Sequence, residues 1–223
     1  MVLDIILIAA IITIPLIAQG LIMSSYNKYG AIDNAKKISG FEVARKILDA
    51  NGLNKIDIVT TSGTLSDHYD PKRKVVRLSE DIFNGESIAS MAVAAHECGH
   101  AIQDKEAYSL LRIRSLLVPA VNVGTGLSYI IIVIGFAFQL LNLVYIGIAL
   151  TALGLLFQLV TLPVEINASK RAGIQIRKLG LAELEDQSGT KKVLTAAAMT
   201  YLAGVVASAL QILRLVLIFG RRD

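Results

Sequence analysis

The longest uncharged stretch of this sequence constrains its fold more than any other feature. No Lys, Arg, Asp or Glu occurs from Leu116 to Thr161. This length is well beyond the roughly 20 residues that carry one helix across about 30 Å of hydrocarbon. The most polar break lies at residues 139–142. The pattern therefore predicts two transmembrane helices, over residues 117–138 and 143–162, joined by a tight turn.

Apolar segments near both ends of the sequence predict further membrane helices. Residues 2–23 contain one charged residue, Asp4. A signal peptide is the rival interpretation, but the segment has no basic start and exceeds the usual apolar core of about 7–15 residues. A last helix, predicted from Lys191, is interrupted by Arg214. It either spans the membrane or begins in the polar part of the chain and enters the membrane later.

The composition and the distribution of charge predict a multi-pass protein of the cell membrane. The sequence is 54% hydrophobic, and its mean hydropathy is +0.59. Basic residues concentrate on the cytoplasmic side of membrane proteins, so we expect the N-terminus and the 139–142 turn outside and the polar segments in the cytoplasm. The residues that support this orientation are Lys28, Lys36, Lys37, Arg112, Arg114, Lys170 and Arg171. Arg221 and Arg222 would lie outside if the last helix spans, which counts against this topology.

The remaining composition excludes two classes of protein. A net charge of +4 without any aromatic-plus-basic pattern argues against a nucleic-acid partner. The single cysteine permits no internal disulfide.

The polar segments predict a small α+β domain beside the membrane helices of a mainly α protein. Ser39 and Glu42 form a capping-box pattern at the start of a helix. Residues 55–60 and 74–78 have strand patterns, and Asp70-Pro71 has turn chemistry. The predicted boundaries are an N-terminal transmembrane helix (1–24), a first domain part (25–115), a transmembrane hairpin (116–163), a second domain part (164–192) and a C-terminal helix (193–223).

The first domain part contains the sequence His96-Glu97-Cys98-Gly99-His100. This H-E-x-x-H pattern lies in a stretch that favours a helix, where residues four apart are neighbours. His96 and His100 are therefore expected to bind one Zn²⁺, and Glu97 to act as general base on a zinc-activated water. Cys98 points to another face and is expected to be a packing residue. The pattern also occurs by chance, so a buried helix with two hydrogen-bonded histidines is the alternative.

A catalytic zinc site needs three protein ligands and one open position. His68 and several carboxylates are available as the third ligand. Glu165 is the strongest candidate, because the H-E-x-x-H helix leads into the predicted hairpin and Glu165 follows the hairpin on the same membrane face. The alternative is that Glu165 only stabilises a helix N-terminus through its charge.

Four stretches of the sequence carry a resemblance to a known family. They are S-D-H-Y-D-P (66–71), A-A-H-E-C-G-H-A-I-Q (94–103), L-P-V-E-I-N-A-S (162–169) and A-A-A-M-T-Y (196–201). Together they resemble the YugP-like neutral zinc metallopeptidases over nearly the full length, and more distantly the HtpX-type membrane proteases. The resemblance implies a zincin-like catalytic domain with His96, His100 and Glu165 as zinc ligands and Glu97 as base. Ser169 stands where the HtpX pattern has Asp, so a carboxylate that orients a ligand is weaker here or supplied elsewhere.

Two neighbouring residues are candidates for a further catalytic role. Peptide hydrolysis creates an oxyanion, and a donor about 2.7–3.1 Å from it is typically worth some 10²–10³ in rate. His68 and Tyr69 are of the right type, on a segment expected to be extended beside the zinc helix, where Asp67 or Asp70 would orient the imidazole. A surface turn is the alternative for this segment, and Tyr201 is a further candidate.

These expectations combine into one function and one alternative. The predicted function is a membrane-bound zinc endopeptidase that cleaves peptides or membrane proteins at the cytoplasmic face of the lipid bilayer, with Zn²⁺ as cofactor. The alternative is a non-catalytic metal-binding membrane scaffold. Glu97 argues against the scaffold, because a structural site needs no base and usually fills all four positions with protein ligands. The sequence leaves the substrate, the cleavage motif and the oligomeric state open.

Overall fold

The computed structural model describes residues 2–220. The described chain is mainly helical, and its elements follow in the order α1 (Val2–Gly30), α2 (Gly40–Ala50), β1 (Asp57–Thr61), β2 (His68–Asp70), β3 (Val75–Ser79), α3 (Glu80–Asn84), α4 (Ile88–Lys105), α5 (Ser109–Ala137), α6 (Leu141–Lys178) and α7 (Leu184–Phe219). Two compact units divide the chain. The membrane unit takes the described residues of 1–19, 109–163 and 200–223, and the polar unit takes 20–108 and 164–199.

Among residues 2–220, four helices are long and apolar enough to cross a membrane: α1, α5, α6 and α7. Their apolar side chains are largely exposed to the outside of the protein, as lipid-facing side chains are. The predicted mainly α membrane protein with transmembrane helices in these four regions is therefore confirmed at this level. The last apolar segment contains the charge of Arg214, and there its Nε donates to Asp4 Oδ1 of α1 over 2.7 Å.

Two predicted helix boundaries are wrong. The second helix of the hairpin was predicted to end at residue 162, before Pro163, but α6 runs without interruption from Leu141 to Lys178. A proline removes one backbone hydrogen bond, and membrane helices tolerate this because neighbouring groups satisfy the freed carbonyl. The last helix was predicted from Lys191, but α7 begins at Leu184, with Glu185 and Asp186 in its first turn. Acidic side chains at this end are favoured by the helix dipole.

A three-stranded sheet in the order β1-β3-β2 forms one side of the polar unit. β1 pairs parallel to β3, with Asp57 opposite Val75, and β2 pairs antiparallel to it, with His68 opposite Arg77. The two strands predicted from alternation appear as β1 and β3. β2 is too short for a periodic signal and had been predicted only as an extended segment.

α2 and α4 pack on each other in the core of the polar unit. The predicted capping box is present, since Ser39 Oγ accepts from Glu42 N and the Glu42 carboxylate accepts from Ser39 N. The predicted apolar face of α2 is buried, including Val43 and Ile47. Cys98 of α4 is buried against this helix, with its thiol 3.6 Å from the Ala44 carbonyl oxygen, as a packing residue should be.

α4 and the polar part of α6 approach each other closely at Gly99. A Cβ atom on Gly99 would lie 2.5 Å from the carbonyl oxygen of Ala168, which is closer than real Cβ atoms come. Only a glycine therefore allows the two helices to meet at this distance.

We expect Gly99→Ala to destabilise the protein by about 1–3 kcal/mol, because the added methyl group overpacks a backbone contact. Gly126→Ala is the matched control, since a Cβ atom there meets no heavy atom within 4 Å. That change should leave the stability equal or raise it slightly, because alanine is the better helix former. Thermal unfolding of the purified variants in detergent measures both. Equal melting temperatures for the two variants would contradict the close approach.

Candidate metal centre

The helix α4 presents two imidazoles on one face. Ser87 caps its N-terminus by accepting from Ser90 N, and the alanine-rich sequence continues the helix to Lys105. His96 and His100 are one turn apart, with ring centroids separated by 4.8 Å and ring planes nearly perpendicular. Both Nε2 atoms therefore lie near the same point in front of the helix.

The helix α6 brings Glu165 to that point. Its Oε2 lies 3.1 Å from His96 Nε2 and 3.4 Å from His100 Nε2. Only 2% of Glu165 is exposed, and one atom from each of the three residues lies within 4.8 Å of the others. Two imidazole nitrogens and a carboxylate oxygen are a ligand set that catalytic zinc sites use. The residues present therefore fit a zinc ion, and the structure brings the three predicted ligands together.

Gln103 connects the two ligand-bearing helices. It is fully buried, and its Oε1 lies 2.9 Å from His100 Nδ1. An amide oxygen only accepts, so Nδ1 carries the proton and the lone pair of Nε2 remains free for a metal. On its other side, Gln103 Nε2 donates to the carbonyl oxygen of Val164 over 2.8 Å and to Asn167 Oδ1 over 2.9 Å.

The roles of Gln103 and Asn167 were not predicted from the sequence. The available signal was the position of Gln103 three residues after His100, which places both on one helix face. His96 has a comparable partner, because its Nδ1 lies 3.1 Å from Ser169 Oγ. Ser169 stands where the HtpX pattern has Asp, so a neutral hydroxyl contacts this imidazole.

Glu97 lies next to the two histidines and is buried. The backbone N–H of Tyr69 donates to its Oε2 over 2.9 Å. Burial raises the pKa of Glu97 to about 7, the His96 imidazole opposes the rise, and the Glu165 and Asp67 carboxylates add to it. A carboxyl group with a pKa close to neutrality can both accept and return a proton.

The other two predicted catalytic residues, His68 and Tyr69, have different environments. His68 is exposed at the start of β2, with Nδ1 2.8 Å from the Ser66 carbonyl oxygen. Tyr69 is buried, and its hydroxyl donates to Asp104 Oδ2 over 2.6 Å. Burial and this bond raise the pKa of Tyr69. In this arrangement Tyr69 reaches Glu97 through its backbone, and its hydroxyl would have to leave Asp104 to reach a substrate.

The two aspartates that flank these residues have other hydrogen-bond partners. Asp67 Oδ1 accepts from Ser79 N over 2.7 Å, and burial raises the pKa of Asp67. Asp70 Oδ1 accepts from the backbone of Lys72 and Arg73 and stabilises the turn between β2 and β3. Tyr201, the further candidate, belongs to the membrane unit. The catalytic roles of His68 and Tyr69 stay predictions.

Comparisons with known proteins add to this picture. Residues 4–220 match the model of a family described as "putative neutral zinc metallopeptidase". The chain is 43% identical over 202 residues to a Bacillus subtilis (strain 168) protein named "Putative membrane protease YugP", and the match covers 91% of this chain and 90% of that protein. No solved structure matches the chain.

We expect Gln103→Leu to weaken zinc binding by about 10–100-fold, which is the usual effect of removing a partner that orients a ligand. Gln175→Leu is the matched control, because Gln175 donates to Asn51 and contacts none of the three ligands. Competition of each purified variant with a zinc-chelating dye gives the affinities. A Gln103→Leu variant that is folded and binds zinc as tightly as the parent would remove Gln103 from the site.

Proposed function

Because this chain belongs to the neutral zinc metallopeptidase family, we propose that it is a multi-pass membrane endopeptidase that depends on zinc. The observation that carries the proposal is the buried cluster of His96, His100 and Glu165 with the Glu97 carboxyl group beside it. The relative from Bacillus subtilis, named as a membrane protease, supports the same reaction class.

In the proposed mechanism His96, His100 and Glu165 hold the metal ion. Bound Zn²⁺ supplies a Lewis acid that acidifies a water molecule and polarises the carbonyl group of the peptide. Gln103 and Ser169 orient the two imidazoles from behind, so that the ligand atoms are in place before the ion binds. The zincin-like character of the catalytic domain is part of the proposal.

Glu97 is the proposed general base and acid. It accepts a proton from the attacking water, whose oxygen forms the new bond to the carbonyl carbon, and it returns the proton to the nitrogen that leaves when the C–N bond breaks. One water is consumed, and one carboxylate and one amine are formed. The Tyr69 N–H holds the Glu97 carboxylate in a fixed orientation, and a pKa of about 7 suits both transfers.

The mechanism also needs a hydrogen-bond donor for the oxyanion, and the contacts in the structure restrict the choice of this group the least. His68 is the better candidate of the predicted pair, because its imidazole is exposed and Nε2 has no partner in the described structure. Tyr69 would serve only after its hydroxyl leaves Asp104.

Glu97→Gln should keep stoichiometric zinc and lose peptidase activity by at least about 10²-fold, because an amide keeps the shape and cannot take a proton. Glu165→Ala is the contrasting variant, since it removes a ligand and should lose zinc as well as activity. Casein digestion and metal analysis of the purified proteins measure the two properties. Activity of Glu97→Gln within a few-fold of the parent would refute the general base, and full zinc in Glu165→Ala would refute the ligand.

The proposal places the active site on the cytoplasmic side, as the basic flanks of the apolar segments favour. We expect cysteines at Lys72 and Asn142, both exposed positions, to react with a membrane-impermeant maleimide on opposite sides of the membrane. The native Cys98 is buried and should give little background. Labelling of Asn142→Cys already in intact cells, and of Lys72→Cys only after lysis, is the expected result. Labelling of both in intact cells would refute the orientation.

A further inference from the structure

A groove of about 400 Å³ lies between the polar part of α6 and the first half of α7. Its floor is apolar and includes Ile176 and Leu194, both buried. Its rim carries three cations, Lys170 and Arg177 from α6 and Lys191 from α7. We call this feature the α6–α7 groove.

All the charged side chains that line the α6–α7 groove are positive. No Asp or Glu lines it, and the three cations are exposed and form no ion pair with any carboxylate among residues 2–220. Other basic residues nearby are compensated, since Lys36 pairs with Glu183 and Arg171 with Glu106. A concave surface whose charged groups are all cations attracts anionic groups and concentrates them.

The groove lies beside the candidate metal centre. Ser169, which lies behind the His96 imidazole at 3.1 Å, is also one of the residues that line the groove. This hydroxyl lies on the Nδ1 side of the imidazole, so the groove adjoins the metal centre from behind that ligand. A polypeptide held at the metal centre would reach the groove within a few residues of the bond that is cleaved.

The spacing of the cations suits an extended peptide. Lys170 and Arg177 are seven helical residues apart, which is about 10 Å along α6. An extended chain advances about 3.3 Å per residue, so the two cations match side chains roughly three positions apart. Lys191 faces them from α7.

We propose that the α6–α7 groove binds an acidic, extended segment of the substrate polypeptide next to the cleaved bond. Acidic side chains about three positions apart contact Lys170 and Arg177, Lys191 contacts the same segment from the opposite wall, and apolar side chains lie on Ile176 and Leu194. The inference rests on the proposed peptidase function and adds the class of substrate.

An anionic lipid headgroup is the competing occupant, because basic pockets between membrane helices bind such headgroups. The groove is too long for that ligand. From Ile166 to Arg177 its α6 wall extends eleven residues, or about 16 Å, whereas each interfacial layer of a bilayer is about 5–8 Å thick. A helix tilt of about 20° from the membrane normal shortens the height of this wall only slightly.

The test uses full-length protein that carries Glu97→Gln, so that peptides bind without being cleaved. Two labelled peptides of equal length are compared by fluorescence anisotropy, one with two Asp three positions apart and one with Asn in their place. The Asp peptide should bind about tenfold more tightly at low salt, and the difference should shrink as salt screens the charges. Lys170→Gln, Arg177→Gln and Lys191→Gln combined should abolish the preference.

The matched control combines Lys46→Gln, Lys178→Gln and Lys192→Gln, which removes the same number of exposed charges from positions outside the groove. This control should keep the preference. Equal binding of the two peptides by the Glu97→Gln protein without further changes would overturn the inference. Equal loss of the preference for the Asp peptide in the control and groove variants would also overturn it. Loss of binding to phosphatidylglycerol vesicles in the groove variant, with the peptide preference intact, would also overturn it and identify a lipid site.

Cleavage by protein with Glu97 intact separates this inference from the proposed function. If the parent cleaves the Asn and Asp peptides equally well, the enzyme stands and the groove inference fails. If the parent cleaves neither while the Glu97→Gln protein binds the Asp peptide through the groove, the proposed function fails. The expected result is cleavage of both, with the Asp peptide preferred about tenfold in kcat/KM by the parent and not by the groove variant.

Discussion

The burial of the Glu165 carboxylate is the constraint on which the rest of the polar unit depends. A carboxylate that is only 2% exposed is costly unless opposite charge or hydrogen bonds compensate it. Here the nearest groups are the His96 and His100 imidazoles, and a neutral imidazole whose Nδ1 carries the proton presents a lone pair, not a compensating charge, to the carboxylate. A divalent cation at the same point would leave a net charge of about +1 on the site, so the arrangement favours a bound metal. To reach the imidazoles, α6 must approach α4 closely, and Gly99 makes that approach sterically possible.

Neutral polar groups then fix the imidazoles without adding charge. Gln103 and Ser169 both bond to the Nδ1 atoms, and neither carries a formal charge. A carboxylate in either place would raise the basicity of the ligand and lower the positive charge of the site. Glu165 is therefore the sole anionic member of the three-residue cluster, and the Glu97 carboxyl group beside it is raised in pKa chiefly by burial.

Local sequence patterns predicted the features that depend on residues close in sequence. They failed for the features that depend on contacts between residues far apart in sequence. The cap of α2 at Ser39 and the helical spacing of His96 and His100 follow from residues three or four apart, and both were predictable. The continuity of α6 through Pro163 was not, because it depends on the groups that satisfy the freed carbonyl. Gln103 bonds to a carbonyl 61 residues away, and the Tyr69 hydroxyl to a carboxylate 35 residues away. No periodicity encodes such pairs, so their roles required the structure.

The uninterrupted course of α6 explains how one helix serves two surfaces. Glu165, Ala168 and Ala172 recur at three and four residues and form the face that meets α4, whereas the face that lines the α6–α7 groove contains Lys170 and Arg177. A helical residue turns by about 100°, so these two faces keep a fixed angle only while the helix is continuous. A break after Pro163 would still have left Glu165 in register with these residues, but an insertion between residues 165 and 170 would rotate the groove away from the metal ligands. The register of this short stretch therefore links the metal centre to the surface that we infer selects the substrate.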